Sequence, residues 1–347
     1  MKAKALLRKF YKRYLLDAMS AMALGLFSSL IIGLIISQLS KISFLNFLAP
    51  FGAVVSASSP VVGAAIGVAI AYGLKTAPLV MFSSAATGAL GYNLGGPIGA
   101  YLAAVVGAEL GGLVAGKTKV DIIVVPVVTI VTGCLVITWT APGINWLVAA
   151  LQSFLEKATM LQPIPMGIII SVIFGMVLTA PISSAALAAM IFTVPEGEVM
   201  GQGLMLAAGA ATVGCCAQMV GFAVQSYREN GFSGLIAQGI GTSMLQFGNI
   251  LRKPIIWLPT IITSAILGPL STTVFKMLNA SSSAGMGTSG LVGQFGTWAV
   301  MADQGAASVI IRMLLIQIIL PALLTWLISE FMRKKGWIKP EDQKLEL

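Results

Sequence analysis

The chain has 347 residues and a net charge of +9; 57% of its residues are hydrophobic and only 10% are charged. A soluble domain carries about 25% charged residues, so this chain has too few charges to cover a surface that faces water. Its mean hydropathy is +0.93. Several apolar runs approach the roughly 20 residues that cross hydrocarbon as a helix, and they are continuous rather than alternating. The composition excludes a soluble fold and a barrel, and predicts an all-α polytopic membrane protein.

Basic residues are concentrated at the two ends of the chain. Lysine and arginine beside a span favour the cytoplasmic side, so we predict that both termini are cytoplasmic and that the number of spans is even. The resulting organisation is a basic tail over residues 1–17, a membrane domain over 18–330 and a second tail over 331–347. The basic tails suit an anionic lipid surface, and nucleic acid is not an expected partner.

Hydropathy predicts about ten transmembrane helices. The predicted spans are 18–38, 46–72, 76–91, 97–116, 120–140, 163–180, 203–225, 233–250, 255–278 and 306–330. This topology places one group of basic residues inside with the termini, namely Lys75, Lys117, Lys119, Arg252 and Lys253. It places a second, smaller group outside, namely Lys41, Lys157, Arg228 and Lys276.

Two stretches do not fit simple spans. Residues 181–200 are apolar but short between two prolines, and residues 279–305 mix glycine, serine and threonine with apolar residues. Both are predicted to be re-entrant or broken helices, which membranes tolerate where the backbone is buried in protein or lines a wet cavity. Residues 141–160 are predicted to form an interfacial helix anchored by Trp146. Short sequence echoes favour two duplicated halves, about 18–160 and 161–330, although chance similarity also explains them.

Charged residues within apolar surroundings are candidate functional residues, because charge is costly in a membrane. Glu196 and Glu198 lie in the run VPEGE, where two carboxylates could accept hydrogen bonds from sugar hydroxyls or bind a cation. The alternative is a solvated loop. For Asp303, the alternative to a binding role is a structural ion pair with Arg312.

Glu109 is a further charge in an apolar run. The alternative to a functional role for Glu109 is an ion pair with Lys117 or Lys119 near the membrane interface.

Hydroxyl and amide side chains supply the remaining candidates. Ser183 or Ser184 could cap a helix whose free amides face a polar ligand. The Gly-rich run 285–290 lacks the lysine of a phosphate loop, so it favours a polar pathway over nucleotide binding. Caps and hydrogen bonds between helices are the structural alternatives. The predicted substrate site comprises Ser183, Ser184, Glu196, Glu198, Asn249, Thr288, Ser289, Gln294 and Asp303.

The sequence contains no histidine, and its three cysteines lack the spacing of metal ligands. We therefore predict no catalytic residues, no bound metal and no cofactor. Energy coupling is expected to come from an ion gradient or from a separate subunit.

Six long segments resemble a branch of the enzyme IIC membrane subunit of the bacterial phosphotransferase system. They are FGAVVSASSPVVGAAIG, GKTKVDIIVVP, TAPISSAALAAMI, GTSMLQFGNILRKPIIWLP, AILGPLSTTVFKM and AGMGTSGLVGQFGTWAVM. The chain lacks the histidine and the G-I-T-E-P motif of glucose-type members, so it is similar to a histidine-free branch. The resemblance implies a homodimeric permease of the bacterial plasma membrane that works by alternating access, with separate IIA and IIB proteins as phosphoryl carriers.

Three functions follow as hypotheses. The first is a permease for a sugar or similar small polar solute, acting as the membrane subunit of a sugar phosphotransferase. The second is an ion-coupled transporter of a different small molecule. The third is a membrane sensor or regulator that has a transporter-like fold.

Overall fold

The computed structural model describes residues 9–56, 58–180, 182–194 and 198–345. Over these residues the chain is helical and contains no strand. The principal helices are α1 (Tyr11–Leu39), α2 (Ser43–Val54), α3 (Pro60–Gly73), α4 (Pro78–Val114), α5 (Asp121–Leu161), α6 (Pro163–Thr179), α7 (Ser184–Phe192), α8 (Gln202–Gln225), α9 (Tyr227–Ile236), α10 (Phe247–Arg252), α11 (Pro254–Thr273), α12 (Val292–Met301) and α13 (Ala306–Lys334).

Six of these helices are long and apolar enough to cross a membrane, and they are α1, α4, α5, α8, α11 and α13. Three more apolar helices, α2, α3 and α6, are shorter. The helical, polytopic class predicted from composition is therefore confirmed. The predicted count of about ten spans is not confirmed, because several apolar runs form short or interrupted helices rather than full-length ones.

Helix α4 is a hairpin rather than a straight rod. Gly95 and Gly96 leave the helical conformation, and Gly96 has a φ of +58°, which favours glycine. A methyl group on Gly91 would lie 2.5 Å from the carbonyl oxygen of Gly99. Residues eight positions apart in a straight helix are separated by about 12 Å. The two arms therefore fold back on each other, at the junction between the predicted spans 76–91 and 97–116.

The chain divides into two compact units. The first comprises Met1–Leu151 with Ala189–Val199, and the second comprises Gln152–Ala188 with Met200–Leu347. The predicted duplication, with its boundary near residue 160, stays a prediction.

Close helix packing in the first unit depends on glycine. A methyl group on Gly25 of α1 would lie 2.8 Å from the Ala65 carbonyl oxygen of α3. A methyl group on Gly67 of α3 would lie 2.0 Å from the Ser84 carbonyl oxygen of α4. In a membrane, helices associate largely through such close backbone contact, because lipid is as apolar as the side chains. The small residues in these apolar runs thus bring α1, α3 and α4 together.

The second unit is built around α8, which is almost entirely buried. Helix α6 packs on one side, where a methyl group on Gly214 would lie 1.9 Å from the Ser171 carbonyl oxygen. Helix α11 contacts α6 through paired glycines, Gly167 and Gly268. The Ser171 hydroxyl donates to the Ser264 carbonyl oxygen at 2.7 Å. Helix α11 also packs on α8, so each of the three helices contacts the other two.

The predicted span at 233–250 is not a continuous helix. After α9 the chain passes through a π-helical turn at Ala237–Gly241 and a 3-10 turn at Ser243–Gln246 before α10 begins. We call residues 227–252 the broken segment. It starts and ends at the same end of the second unit, because Glu229 pairs with Arg333 and Lys253 pairs with Asp342 beyond α13.

This arrangement corrects one assignment. Arg228 contacts Glu330 at 3.0 Å, near the end of α13. The sequence analysis placed Arg228 on the opposite side from the residues that follow α13, and that assignment is wrong. The physical reason is that the broken segment returns to the end from which it started instead of crossing the unit.

Residues 141–160 belong to α5, which continues from Asp121 to Leu161 with Pro126 and Pro142 inside it. The run predicted as a separate interfacial helix is therefore the second half of a longer one.

Candidate functional site

Three interruptions of helical structure meet beside α8 in the second unit. The first is the end of α6 at Thr179, whose Oγ1 lies 2.8 Å from the Ser243 Oγ of the broken segment. The second is that segment itself, where the Gly239 carbonyl oxygen accepts a hydrogen bond from Thr288 Oγ1 at 2.5 Å. The third is the loop before α12, where the Gly285 carbonyl oxygen accepts from Ser184 Oγ at 2.6 Å. Non-helical backbone within apolar protein is typical of transporter sites.

Gln218 of α8 is the centre of the first polar cluster, and its side chain is fully buried. Its Oε1 accepts hydrogen bonds from Trp257 Nε1 at 2.9 Å, Thr260 Oγ1 at 2.9 Å and Thr179 Oγ1 at 3.2 Å. The indole nitrogen can only donate, so the atom facing it must be the amide oxygen. This fixes the amide orientation and leaves Nε2 buried without a partner.

Gln294 and Gln317 form a second buried cluster. Gln294 Nε2 donates to Gln317 Oε1 at 2.9 Å, and Gln317 Nε2 donates to Thr297 Oγ1 at 2.9 Å. Gln294 Nε2 also lies 3.6 Å from the Cys216 sulfur of α8. The Gln294 Oε1 is buried and has no partner. The two clusters therefore offer one unused donor and one unused acceptor on the residues around α8.

The loop between α11 and α12 is held by Asn279, which is fully buried. Its Nδ2 donates to Thr212 Oγ1 and to the Gly293 carbonyl oxygen, and its Oδ1 accepts from Ser283 Oγ at 2.7 Å. Because every polar atom of this side chain is used, Asn279 positions the loop rather than offering a free group to a ligand. The sequence analysis did not single it out.

The predicted site residues fall in different places. Ser184, Thr288 and Gln294 lie at the converging interruptions described above. Ser183 caps α7 by accepting from the Ala186 N–H at 3.1 Å. Ser289 is half-buried beside them in the loop before α12.

The remaining predicted residues lie elsewhere. Asn249 binds the Lys344 carbonyl oxygen at 2.9 Å, at the end of the unit that carries Arg333. Asp303 is exposed. Glu198 is exposed and belongs to the first unit. Glu196 lies outside the described residues.

The other charged residues found by sequence have different partners from those predicted. Glu109 accepts from Arg13 Nε at 2.6 Å and from the Tyr14 hydroxyl at 3.1 Å, so pairing with Lys117 or Lys119 is wrong. The sequence analysis did not find Arg13 as the partner of Glu109, because the two residues are far apart in the sequence.

Arg312 contacts the Gln304 Oε1 at 3.2 Å and the Phe275 carbonyl oxygen at 3.3 Å, and no ion pair joins it to Asp303. The two polar clusters around α8 are neutral, since the side chains that build them are amides, hydroxyls, a thiol and an indole. Among the described residues, no group of three or more His, Cys, Asp or Glu side chains is arranged to hold a metal.

The family model described as "Phosphotransferase system, EIIC" matches residues 16–345, which is nearly the whole chain. The chain belongs to this family. The resemblance read from the sequence segments is thereby confirmed. EIIC membership implies a plasma-membrane permease that works with IIA and IIB proteins. A search of curated proteins found no match to this EIIC chain, and a search of solved structures also found none.

Proposed function

We propose that this EIIC protein carries a neutral, hydroxyl-bearing solute of the sugar class across the plasma membrane by alternating access. The observation that carries the proposal is the meeting of three helix interruptions beside α8, together with the amide N–H of Gln218 on that helix, which is buried and unpaired. A buried polar group without a partner costs about 1–3 kcal/mol, so a ligand oxygen that accepts from it is favoured. The neutral surroundings match an uncharged solute better than an anion or a cation.

In this proposal the end of α6 with α7, the broken segment, and the loop before α12 enter the membrane and turn back within it. We also propose that both termini are cytoplasmic, as the concentration of basic residues at the two ends of the chain predicts. Family membership supports a phosphoryl donor on a separate IIB protein, and a homodimer is the proposed assembly. Glu196 and Glu198 stay predicted binding residues.

The first test is thermal stability of the purified protein with a panel of sugars, sugar phosphates, nucleosides and peptides. A ligand that binds only the folded state raises the unfolding midpoint with the logarithm of its concentration. A concentration-dependent shift with one neutral sugar is expected. A shift only with a charged compound or a peptide would contradict the proposed solute class.

The second test uses Gln218→Met in proteoliposomes, with Gln225→Met as its matched control. Both glutamines are buried on α8, but Gln225 is the last residue of that helix and donates to the Ile256 carbonyl oxygen, so it does not take part in the Gln218 cluster. We expect Gln218→Met to abolish the sugar-induced shift and the uptake while the protein stays folded. Normal uptake by Gln218→Met, or equal loss in the control, would remove Gln218 from the site.

Uptake should be compared with a complete phosphoryl-transfer chain and with a proton or sodium gradient alone. Uptake driven by a gradient without IIB would favour the ion-coupled alternative. Ligand binding without uptake in either condition would favour the sensor.

A further inference from the structure

The segment that follows α13 does not extend away from the protein but lies along the broken segment. The Asn230 side chain forms two hydrogen bonds with the backbone of that segment. Its Nδ2 donates to the Gln343 carbonyl oxygen at 2.8 Å, and its Oδ1 accepts from the Leu345 N–H at 2.8 Å. Asn249 Nδ2 donates to the Lys344 carbonyl oxygen at 2.9 Å. We call residues 337–345 the strap. Its contacts to these amides use the peptide backbone.

Two side chains of the strap add specific anchors. Asp342 pairs with Lys253, which follows α10, and only 19% of the Asp342 side chain is exposed. Ile338 is 2% exposed and packs in a cluster with Phe222, Ile250 and Met332. The strap therefore contacts α8, α10 and α13 at one end of the second unit.

A line of amides connects the strap to the interruptions beside α8. Gln246 Nε2 donates both to the Gln343 carbonyl oxygen at 2.9 Å and to Gln238 Oε1 at 3.0 Å. Gln238 in turn donates to Ser226 Oγ at 2.9 Å. The next residue, Gly239, accepts the hydrogen bond from Thr288. Gln238 and Gln246 belong to the broken segment, and Gln246 joins it to the strap at the Gln343 carbonyl oxygen.

We propose that the strap is a releasable lock on the broken segment, and that Asn230, Gln246, Asn249 and Lys253 form the groove that receives it. The groove binds the consecutive backbone carbonyls of Gln343 and Lys344 and the carboxylate of Asp342. When the strap leaves, Gln246 and Asn249 lose their backbone partners, and residues 237–246 lose the contacts that hold them at one end. The proposal concerns this movement and holds for any transported solute.

Hydrogen exchange of the full-length protein in detergent micelles tests the lock. Asp342→Asn removes the charge partner of Lys253, and we expect exchange over residues 237–246 to accelerate by about tenfold while α8 is unchanged. Glu341→Gln is the matched control, because it removes the same charge from the strap but pairs only with Lys344 on the exposed surface. The control should leave exchange over residues 237–246 unaltered.

A charge swap, Asp342→Lys with Lys253→Asp, guards against misfolding of the single variant. Slow exchange over residues 237–246 in the swapped protein would show that loss of the Asp342–Lys253 ion pair causes the acceleration in Asp342→Asn. Adding a synthetic peptide of residues 337–345 to Asp342→Asn should slow exchange over residues 237–246 again. The proposal is overturned if Asp342→Asn accelerates only residues 337–345, or if neither the swap nor the peptide restores protection.

Discussion

Removing the Glu229 charge should be among the most damaging single changes in the second unit. Glu229 and Arg333 form a two-point ion pair at 2.8 and 3.1 Å, with side chains only 6% and 10% exposed. Arg333 also donates to the Gln225 carbonyl oxygen at 2.9 Å, so the pair joins the ends of α8, α9 and α13. In Glu229→Gln the guanidinium stays buried without a compensating charge. The expected loss of unfolding free energy is about 3–5 kcal/mol.

The measurement is equilibrium unfolding by SDS in mixed micelles, with Glu330→Gln as the matched control. Glu330 pairs with Arg228, whose side chain is 64% exposed, so this ion pair is worth no more than about 1 kcal/mol. The double variant Glu229→Leu with Arg333→Leu should recover part of the loss, because no charge is left unpaired. Equal destabilisation by the two glutamine variants would refute the reasoning, as would a double variant that is less stable than Glu229→Gln.

Three further outcomes are expected. Gly214→Ala should destabilise the protein by about 1–3 kcal/mol, since its methyl group would lie 1.9 Å from a backbone oxygen. Gly248 has open space around it, so Gly248→Ala should stabilise the protein by up to about 1 kcal/mol. Equal effects of the two variants in the SDS titration would contradict this reasoning. Partial burial alone would raise the pKa of Asp342, but hydrogen bonds from Lys253 and a backbone N–H lower it overall. The pair therefore contributes fully above the ordinary carboxyl pKa of about 3.9 and is lost as pH falls through the lower folded value, so protection of the strap should disappear only in that acidic range. Gln343→Met should be neutral or stabilising, because both amide atoms of the buried Gln343 lack partners, and a large loss of stability would show that they are used.

The long uninterrupted helices could be predicted from sequence because local composition decides them. The predicted span 203–225 corresponds to Gln202–Gln225, and 163–180 corresponds to Pro163–Thr179. The failure at 233–250 has a tertiary cause. Its hydropathy resembles that of a span, but its glycines and amides let the helix break, and its partners lie beyond α13. No window of local sequence contains those partners.

The site was predictable only in part for the same reason. A predicted helix start pointed to Ser184, and a glycine-rich run pointed to Thr288, because interruptions carry local signals. Gln218 was missed, although a single amide in the middle of a buried apolar helix is itself a signal. Asn249 was found, but its strap partner depends on a contact between residues far apart in the chain. Local pattern identifies where helices break, and long-range packing determines what meets there.

Near the interruptions, polar side chains that serve the fold differ from those that are free to bind a ligand. The hydroxyls of Ser184 and Thr288 satisfy backbone carbonyls at the interruptions, and Asn279 uses all of its polar atoms. Gln218 instead leaves an N–H unpaired and Gln294 leaves an oxygen unpaired, which lowers stability without serving the fold. Two of the three groups that donate to Gln218 have second acceptors, so an apolar replacement strands only the Trp257 N–H. Loss of Gln218 should therefore change stability little and ligand binding greatly, and a purely structural amide would show the reverse.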